Sequence, residues 1–490
     1  MKAGTARMAQ RYRVAGQIAF TACFIALLLA AGDARLPSWA ARGVFFLLDP
    51  LILLLHAAAT RTVFVLGLLA LIPVVLTLVL GRFFCGWVCP MGAIQRFFSW
   101  IFARSRPKVA GPARRLLRIK YLVLTAVLVS ALLGANLGGW LDPFALLTRS
   151  VAAAIDPAIE QPLRGLVGHG RVSTQPVLVG ILFLLVVSLN AWRRRFFCNV
   201  LCPLGALYGL LARFSLLRLE RREGCDSCGT CARRCTYDGD PAGNYLKSEC
   251  LVCLHCVEDC PREGVDVRFA WPRRTRRTPL DVGRRRLLGA AACGVVVAAL
   301  PKASLAAQPG GGHRFARPPG ASRERDFLTR CARCGQCVQA CPTGFIQPAL
   351  LEAGLEGIWT PVLNARAGYC LYECRRCTGA CPTGAIQRLT LEEKKPFKMG
   401  TAVVDRDWCL TYADGIDCTV CADRCPVTPK AIRFREVETW DFRGRYVKVR
   451  QAYVVPDLCT GCGICEHFCP RGGSPGIVNT AEDEDREAVG

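Results

Sequence analysis

Of the 30 cysteines in this 490-residue chain, 24 fall in six short sets of four. Such density means disulfides or metal, and spacing decides between them. Disulfide frameworks use irregular spacings in short secreted chains. These sets instead keep close to C-x2-C-x2-C-x3-C, where a tight loop offers three thiolates to one inorganic cluster and the fourth reaches another. Zinc usually takes two C-x2-C pairs about 15–20 residues apart, not four cysteines in one run. Metal–thiolate bonds replace much of the apolar core such segments would otherwise need.

The first two sets are Cys225, Cys228, Cys231, Cys235 and Cys250, Cys253, Cys256, Cys260. Exchange of the fourth cysteine predicts one 4Fe–4S cube on Cys225, Cys228, Cys231 and Cys260, and a second on Cys250, Cys253, Cys256 and Cys235. Four further sets follow. Cys331, Cys334, Cys337 and Cys341 have the regular spacing, whereas Cys370, Cys374, Cys377 and Cys381 have one extra residue in the first gap. Cys409 is separated from Cys418, Cys421 and Cys425, and Cys459, Cys462, Cys465 and Cys469 are regular again. Here the sets can exchange ligands as neighbours or nest, and spacing does not choose. Six cubes are expected, in small bacterial-type ferredoxin α+β domains.

The N-terminal part reads differently. Val14–Ala31, Thr62–Gly81, Ile119–Gly139 and Pro176–Trp192 are apolar runs near the length of about 20 residues that spans a bilayer as a helix. The loop from Arg82 to Lys120 is basic and free of acids, and Arg193, Arg194 and Arg195 follow the fourth run. Basic loops stay in the cytoplasm. The expectation is a pseudo-repeated, four-span α-helical membrane bundle in the bacterial inner membrane, with its N-terminus cytoplasmic. The net charge of +25 does not point to nucleic acid, because residues 307–490 are nearly balanced, with 24 Lys/Arg against 22 Asp/Glu.

The repeat is explicit. FFCGWVCPMGA (Phe83–Ala93) returns as FFCNVLCPLGA from Phe196, and LLDPLILL around Asp49 is matched by WLDPFALL around Asp142. Cys85 with Cys89, and Cys198 with Cys202, are candidates for a redox dithiol, a soft metal site or buried structural thiols. If each pair rides one helix, i,i+4 spacing puts both thiols on one face. If the halves are pseudo-symmetric, all four converge, which suits a cluster or Cu(I). Asp49, His56 and Asp142 are ionisable groups at expected membrane depth and so candidate functional residues, although Asp-Pro also caps helices. Cys23 and Cys293 read as core residues.

The first two cysteine sets are followed by a basic stretch, Arg268–Arg286, and by Arg284-Arg285-x-Leu287-Leu288 before a short apolar run. That order suggests a twin-arginine-like signal, with Ser304-Leu305-Ala306 as a cleavage site, or a fifth membrane segment. The expected organisation is therefore a membrane domain (1–215), a cytoplasmic two-cluster domain (216–267), the basic segment (268–307), a linker (308–320) and a periplasmic four-cluster domain (321–480). No C-x-x-C-H offers c-type haem attachment, and no GxGxxG follows a strand.

The doubled Asp-Pro and FFCxxxCPxGA unit with two ferredoxin motifs resembles the NapH type of membrane ferredoxin. The region from CARCGQCVQACP to CTGCGICEHFCP resembles the NapG or MauM type. In that family the two types are separate proteins of periplasmic nitrate reductase systems that act together as a quinol dehydrogenase. The resemblance implies a fused electron-transfer protein, taking electrons from the membrane quinol pool to a periplasmic reductase or cytochrome, with Asp49, His56 and Asp142 as the candidate proton acceptors for the quinol. Related doubled C-x3-C-P proteins imply an alternative, a redox assembly or maturation factor for a periplasmic metalloenzyme.

Overall fold

A computed structural model of the protein describes residues 3–29, 43–105, 114–152, 174–222, 225–226, 228–235, 245–271, 282–306, 315–481 and 484–485. The chain divides into two compact units, one made chiefly of residues 1–150 and 179–300, the other of residues 301–490.

The four expected spans are not seen. Among the described residues no helix is long and apolar enough to cross a membrane. The reason lies in helix continuity, which a count of apolar residues ignores. The second run breaks into a 3₁₀ segment, Val65–Ala70, and a ten-residue helix, Leu71–Leu80. The third is helical only over Ile119–Leu132 and the fourth over Thr174–Ser188. At 1.5 Å per residue these reach about 21–23 Å, against about 30 Å of hydrocarbon. The helix Ala3–Leu29 is long, but polar residues occupy its first half. There Gln10 Nε2 lies 2.6 Å from Nδ1 of His255, and Arg13 Nη2 3.3 Å from its Nε2. Gln17 Nε2 donates to the Gly86 carbonyl at 2.6 Å. This helix is docked on protein by its polar face.

The helix Arg284–Ala306, the alternative fifth segment, is likewise no span. It packs so closely that a Cβ on Gly294 would lie 2.5 Å from the Ala126 carbonyl oxygen. The suggested cleavage site at Ser304–Ala306 and residues 307–314 of the linker lie outside the described side chains. So do most of the expected outer loops, residues 30–42 and 153–173.

In the first unit, Pro203–Ala212 packs against Ile119–Leu132 and Leu71–Leu80, and Pro50–Thr60 also packs on Ile119–Leu132. Outward faces remain apolar, with Val65, Leu68, Leu71, Val75, Ile181 and Leu184 exposed. The ferredoxin part is a two-stranded antiparallel sheet, β1 (Leu217–Arg221) with β2 (Val265–Phe269), paired Leu217↔Phe269 through Arg221↔Val265. Leu217, Leu219, Val257 and Val265 pack with Cys231 and Cys256 into one cluster.

The second unit repeats this economy. β3 (Ile346–Pro348) pairs with β4 (Pro361–Leu363), and β6 (Ile432–Trp440) with β7 (Tyr446–Val454). β5 (Thr401–Val404) pairs with β8 (Ile477–Thr480), bringing distant segments together. The two larger cores form around Phe327, Ile346, Ala385 and Ile386, and around Ala402, Ile432, Ala452 and Ile477. Cysteines are members of both, so the ligand loops are part of the core.

Candidate metal centres

In the first unit Cys235 lies within electrostatic reach of Cys250 and Cys256, alongside Cys253. Gly264 ties Cys225 to Cys260. Its amide donates to Cys260 Sγ at 3.1 Å, and a Cβ there would meet the Cys225 Cα at 3.0 Å. The fourth cysteine of each run thus sits with the other run. Burial pushes the Cys250 thiol up to about 12, with the neighbouring Cys253 adding to the shift. Neutral thiols so crowded become good ligands once metal displaces their protons.

The second unit sorts its sixteen cysteines the same way. Cys381 neighbours Cys331, Cys334 and Cys337, while Cys341 neighbours Cys370 and Cys377. Cys341, Cys370, Cys374 and Cys377 line one cavity. Cys409, Cys418, Cys421 and Cys469 line another, and Cys425, Cys459, Cys462 and Cys465 a third. Adjacent runs exchange their fourth cysteine. β5–β8 pairing brings Cys409 to the loop after Cys469, where a Cβ on Gly476 would meet the Cys409 Cα at 2.5 Å. Backbone amides aim at the sulfurs, with Ile386 donating to Cys381, Ala402 to Cys459 and Gly476 to Cys469 at 3.3–3.4 Å. Such bonds raise the potential of a cluster when one is bound. Neighbouring sets also touch: the Cys370 amide donates to the Cys462 carbonyl at 2.9 Å, and Cys465 lies near Cys421. The four sets form one series, beginning at Cys331 and ending at Cys409.

The repeated FFCxxxCPxGA motif builds a site of another kind. Neither pair rides one helix, because each motif straddles a helix boundary. Cys85 lies in the helix Phe83–Trp87, and Cys89 precedes the helix starting at Pro90. Cys198 lies in the π-helical turn Phe197–Leu201, and Cys202 is the N-cap of Pro203–Ala212. Proline suits the first helical position because its missing N–H would be unpaired there anyway. The Cys202 sulfur accepts from the Gly205 amide at 3.2 Å. The motif glycines permit close approach: a Cβ on Gly92 would lie 2.7 Å from the Cys85 carbonyl oxygen, and one on Gly205 3.3 Å from that of Cys198. All four thiols line one cavity, with Arg82, Pro143 and Leu251. Burial pushes Cys198 up to about 11, while Arg82, which donates to Cys85, pulls that thiol the other way.

Around this cavity lies a buried charge network. Arg82 Nη1 donates to Glu249 Oε2 at 3.2 Å, Lys120 pairs with the same oxygen, and Tyr121 Oη donates to Oε1 at 2.8 Å. Arg82, Lys120 and Glu249 are all within 1% of full burial. Sequence reasoning missed them. The signal was present one residue upstream of the motif, since both copies read Arg-Phe-Phe-Cys, at Arg82 and Arg195. Both arginines are buried.

The candidate carboxylates meet. Asp49 Oδ1 caps Pro50–Thr60 by accepting from Leu51 and Ile52, and Asp142 Oδ1 accepts from Phe144 and Ala145 at 2.9 Å. The capping role is real, and it leaves each Oδ2 buried without a cap to make. Burial, then the other carboxylate, holds Asp49 well above the usual carboxylate range. Tyr208, buried with an unpartnered hydroxyl, lies within reach of both carboxylates and of Cys85 and Cys89. His56 is two turns further along its helix, about 10 Å away, and stacks edge-on against Phe64 at 5.1 Å. Cys23 and Cys293, read as core residues, are instead exposed.

Comparisons agree with this geometry. A family described as a 4Fe-4S binding domain matches residues 62–108 and 174–222, one copy per C-x3-C-P motif. A 4Fe-4S dicluster domain matches residues 330–385, and a further 4Fe-4S binding domain residues 452–473. The ferredoxin-type protein NapG of Escherichia coli (strain K12) is 39% identical over 203 residues, 41% of this chain and 84% of the relative. The methylamine utilization ferredoxin-type protein MauM of Methylorubrum extorquens is 39% identical over 158 residues, 32% of this chain and 68% of the relative. The ferredoxin-type protein NapH of Escherichia coli (strain K12) is 28% identical over 240 residues, 46% of this chain and 76% of the relative. No solved structure matches. Grouped cysteines, matching domains and relatives together make this an iron–sulfur electron-transfer protein that belongs to the Nap/Mau family of ferredoxin-type proteins, as a fusion of its NapH-like and NapG/MauM-like members.

Proposed function

We propose that the chain takes electrons from quinol and passes them singly, through six 4Fe–4S cubes, to a periplasmic reductase or cytochrome. Two cubes would be held by Cys225, Cys228, Cys231, Cys260 and by Cys250, Cys253, Cys256, Cys235. In the second unit the sets would be Cys331, Cys334, Cys337, Cys381; Cys370, Cys374, Cys377, Cys341; Cys459, Cys462, Cys465, Cys425; and Cys409, Cys418, Cys421, Cys469. Bound cubes supply one-electron carriers whose potentials the protein tunes. The observation that carries this reading is the contact between successive sets, above all the bond from the Cys370 amide to the Cys462 carbonyl.

Quinol loses two protons with its two electrons. Asp49 and Asp142 fit the proton-accepting role, because their capping bonds use Oδ1 and leave Oδ2. His56 is left out of this reading by its distance from the pair. The quinol pool places the work of the first unit at the bacterial inner membrane, and the acceptor class places the second unit in the periplasm.

The test is anaerobic. A reduced quinol analogue is added to the oxidised holo-protein, and cluster reduction is followed by absorbance and EPR. Reduction within the turnover time of the partner system is expected. No reduction by quinol, while dithionite still reduces the cubes, would refute quinol as donor and favour an assembly or maturation role.

A further inference from the structure

We infer that Cys85, Cys89, Cys198 and Cys202 together hold one additional 4Fe–4S cube, shared between the two halves of the internal repeat. This goes beyond the six cubes above and does not depend on quinol being the donor.

Three observations carry it. The first is ligand number. Each half of the repeat matches a 4Fe-4S binding domain, yet each C-x3-C-P motif supplies only two thiols. The fold supplies the rest, since all four line one cavity and each of the buried pair, Cys89 and Cys202, lies within electrostatic reach of both Cys85 and Cys198. None of the four is in a disulfide.

The second is spacing. A single zinc or copper ion gripped by four thiolates draws the sulfurs to about 3.8 Å, given metal–sulfur bonds near 2.3 Å. Among the described residues no group of three or more Cys, His, Asp or Glu is tight enough for one ion. The same is true of the ferredoxin sets, where iron and sulfide would stand between the thiolates.

The third is charge. Arg82 lines the cavity, Lys120 is buried within electrostatic reach of Cys85 and Cys198, and Glu249 is the carboxylate that Arg82 and Lys120 share. Two cations on one carboxylate leave buried positive charge, which is costly unless an anion balances it. A cube ligated by four thiolates is an anion. Arg82 points at it directly, with Nη2 3.1 Å from where a Cβ on Gly205 would sit and a hydrogen bond to Cys85. The site also adjoins the ferredoxin cubes. Leu251, which lines the cavity, follows Cys250, and Trp87 Nε1 donates to the Val252 carbonyl at 3.3 Å.

The experiment counts iron and acid-labile sulfide in anaerobically purified full-length protein, with native mass spectrometry on the same sample. The expected content is about 28 iron atoms per chain, four for each of seven cubes. Cys85→Ala/Cys89→Ala and Cys198→Ala/Cys202→Ala should each lower it to about 24, and the quadruple variant should lower it no further. That non-additive pattern is specific to one shared cube. Wild-type iron near 24, additive losses, or a stoichiometric copper or zinc ion instead of iron would overturn the proposal. Should the variants fail to accumulate, alkylation of the native wild-type protein decides. Protection of all four cysteines until iron is removed supports the cube, and labelling of any of these four in the iron-replete protein refutes it.

Discussion

The ferredoxin sets of the C-terminal unit and the C-x3-C-P repeat of the N-terminal unit assemble cysteines by opposite routes. In the C-terminal unit, three ligands of each set come from one local segment and the fourth from a neighbouring run, so a hairpin and a few loops suffice. In the N-terminal unit, the thiols of the repeat come two and two from segments more than a hundred residues apart, and helix packing must hold them. Local sets can be lost singly. A distributed set fails when the scaffold does, and that scaffold is pinned by Glu249 between Arg82 and Lys120.

The largest expected effect tests that pin. Glu249→Ala leaves two buried cations unpaired and should cost about 3–5 kcal/mol, seen as collapse of thermal stability or of accumulation. Replacing Glu249 with Gln, which keeps shape but not charge, should recover only part. Iron removal tests the other route. With cysteines inside both of its larger cores, the C-terminal unit should lose cooperative unfolding in calorimetry after chelation, because binding and folding are one process in such domains. Helices of the first unit should keep more of their circular dichroism under the same treatment.

An intermediate effect concerns protons. Asp49→Asn with Asp142→Asn should slow cluster reduction by quinol by about 10²-fold and leave reduction by dithionite unchanged. Equal slowing by both reductants would show a structural role only. Closer contact gives a smaller effect: a Cβ on Gly86 would lie 2.6 Å from the Leu251 carbonyl oxygen, so Gly86→Ala should destabilise by about 1–3 kcal/mol. Asp417→Ala, which breaks the solvent-exposed pair with Arg450, should leave the melting temperature unchanged within error.

The same contrast explains what could be read from the sequence. Ferredoxin sets were legible because their geometry is local, and C-x2-C-x2-C already implies three thiolates on one loop. Pairing in the last domain was not, because it depends on β5 meeting β8 across more than seventy residues. The Asp-Pro motifs revealed their capping role, but not that Asp49 and Asp142 face each other. Hydropathy misled at the apolar runs. It weighs composition, whereas the break at Val65–Ala70 and the docking of Gln10, Arg13 and Gln17 on protein are matters of continuity and partner. Arg82 and Arg195 were hidden by attention to cysteine alone.

The bond between the Cys370 amide and the Cys462 carbonyl has a kinetic meaning. It joins two ligand loops by their backbones, so the distance an electron crosses there is fixed by the fold rather than by chance encounter. Transfer at that junction should be ungated: its rate should not fall as solvent viscosity rises, whereas arrival at a docking partner should.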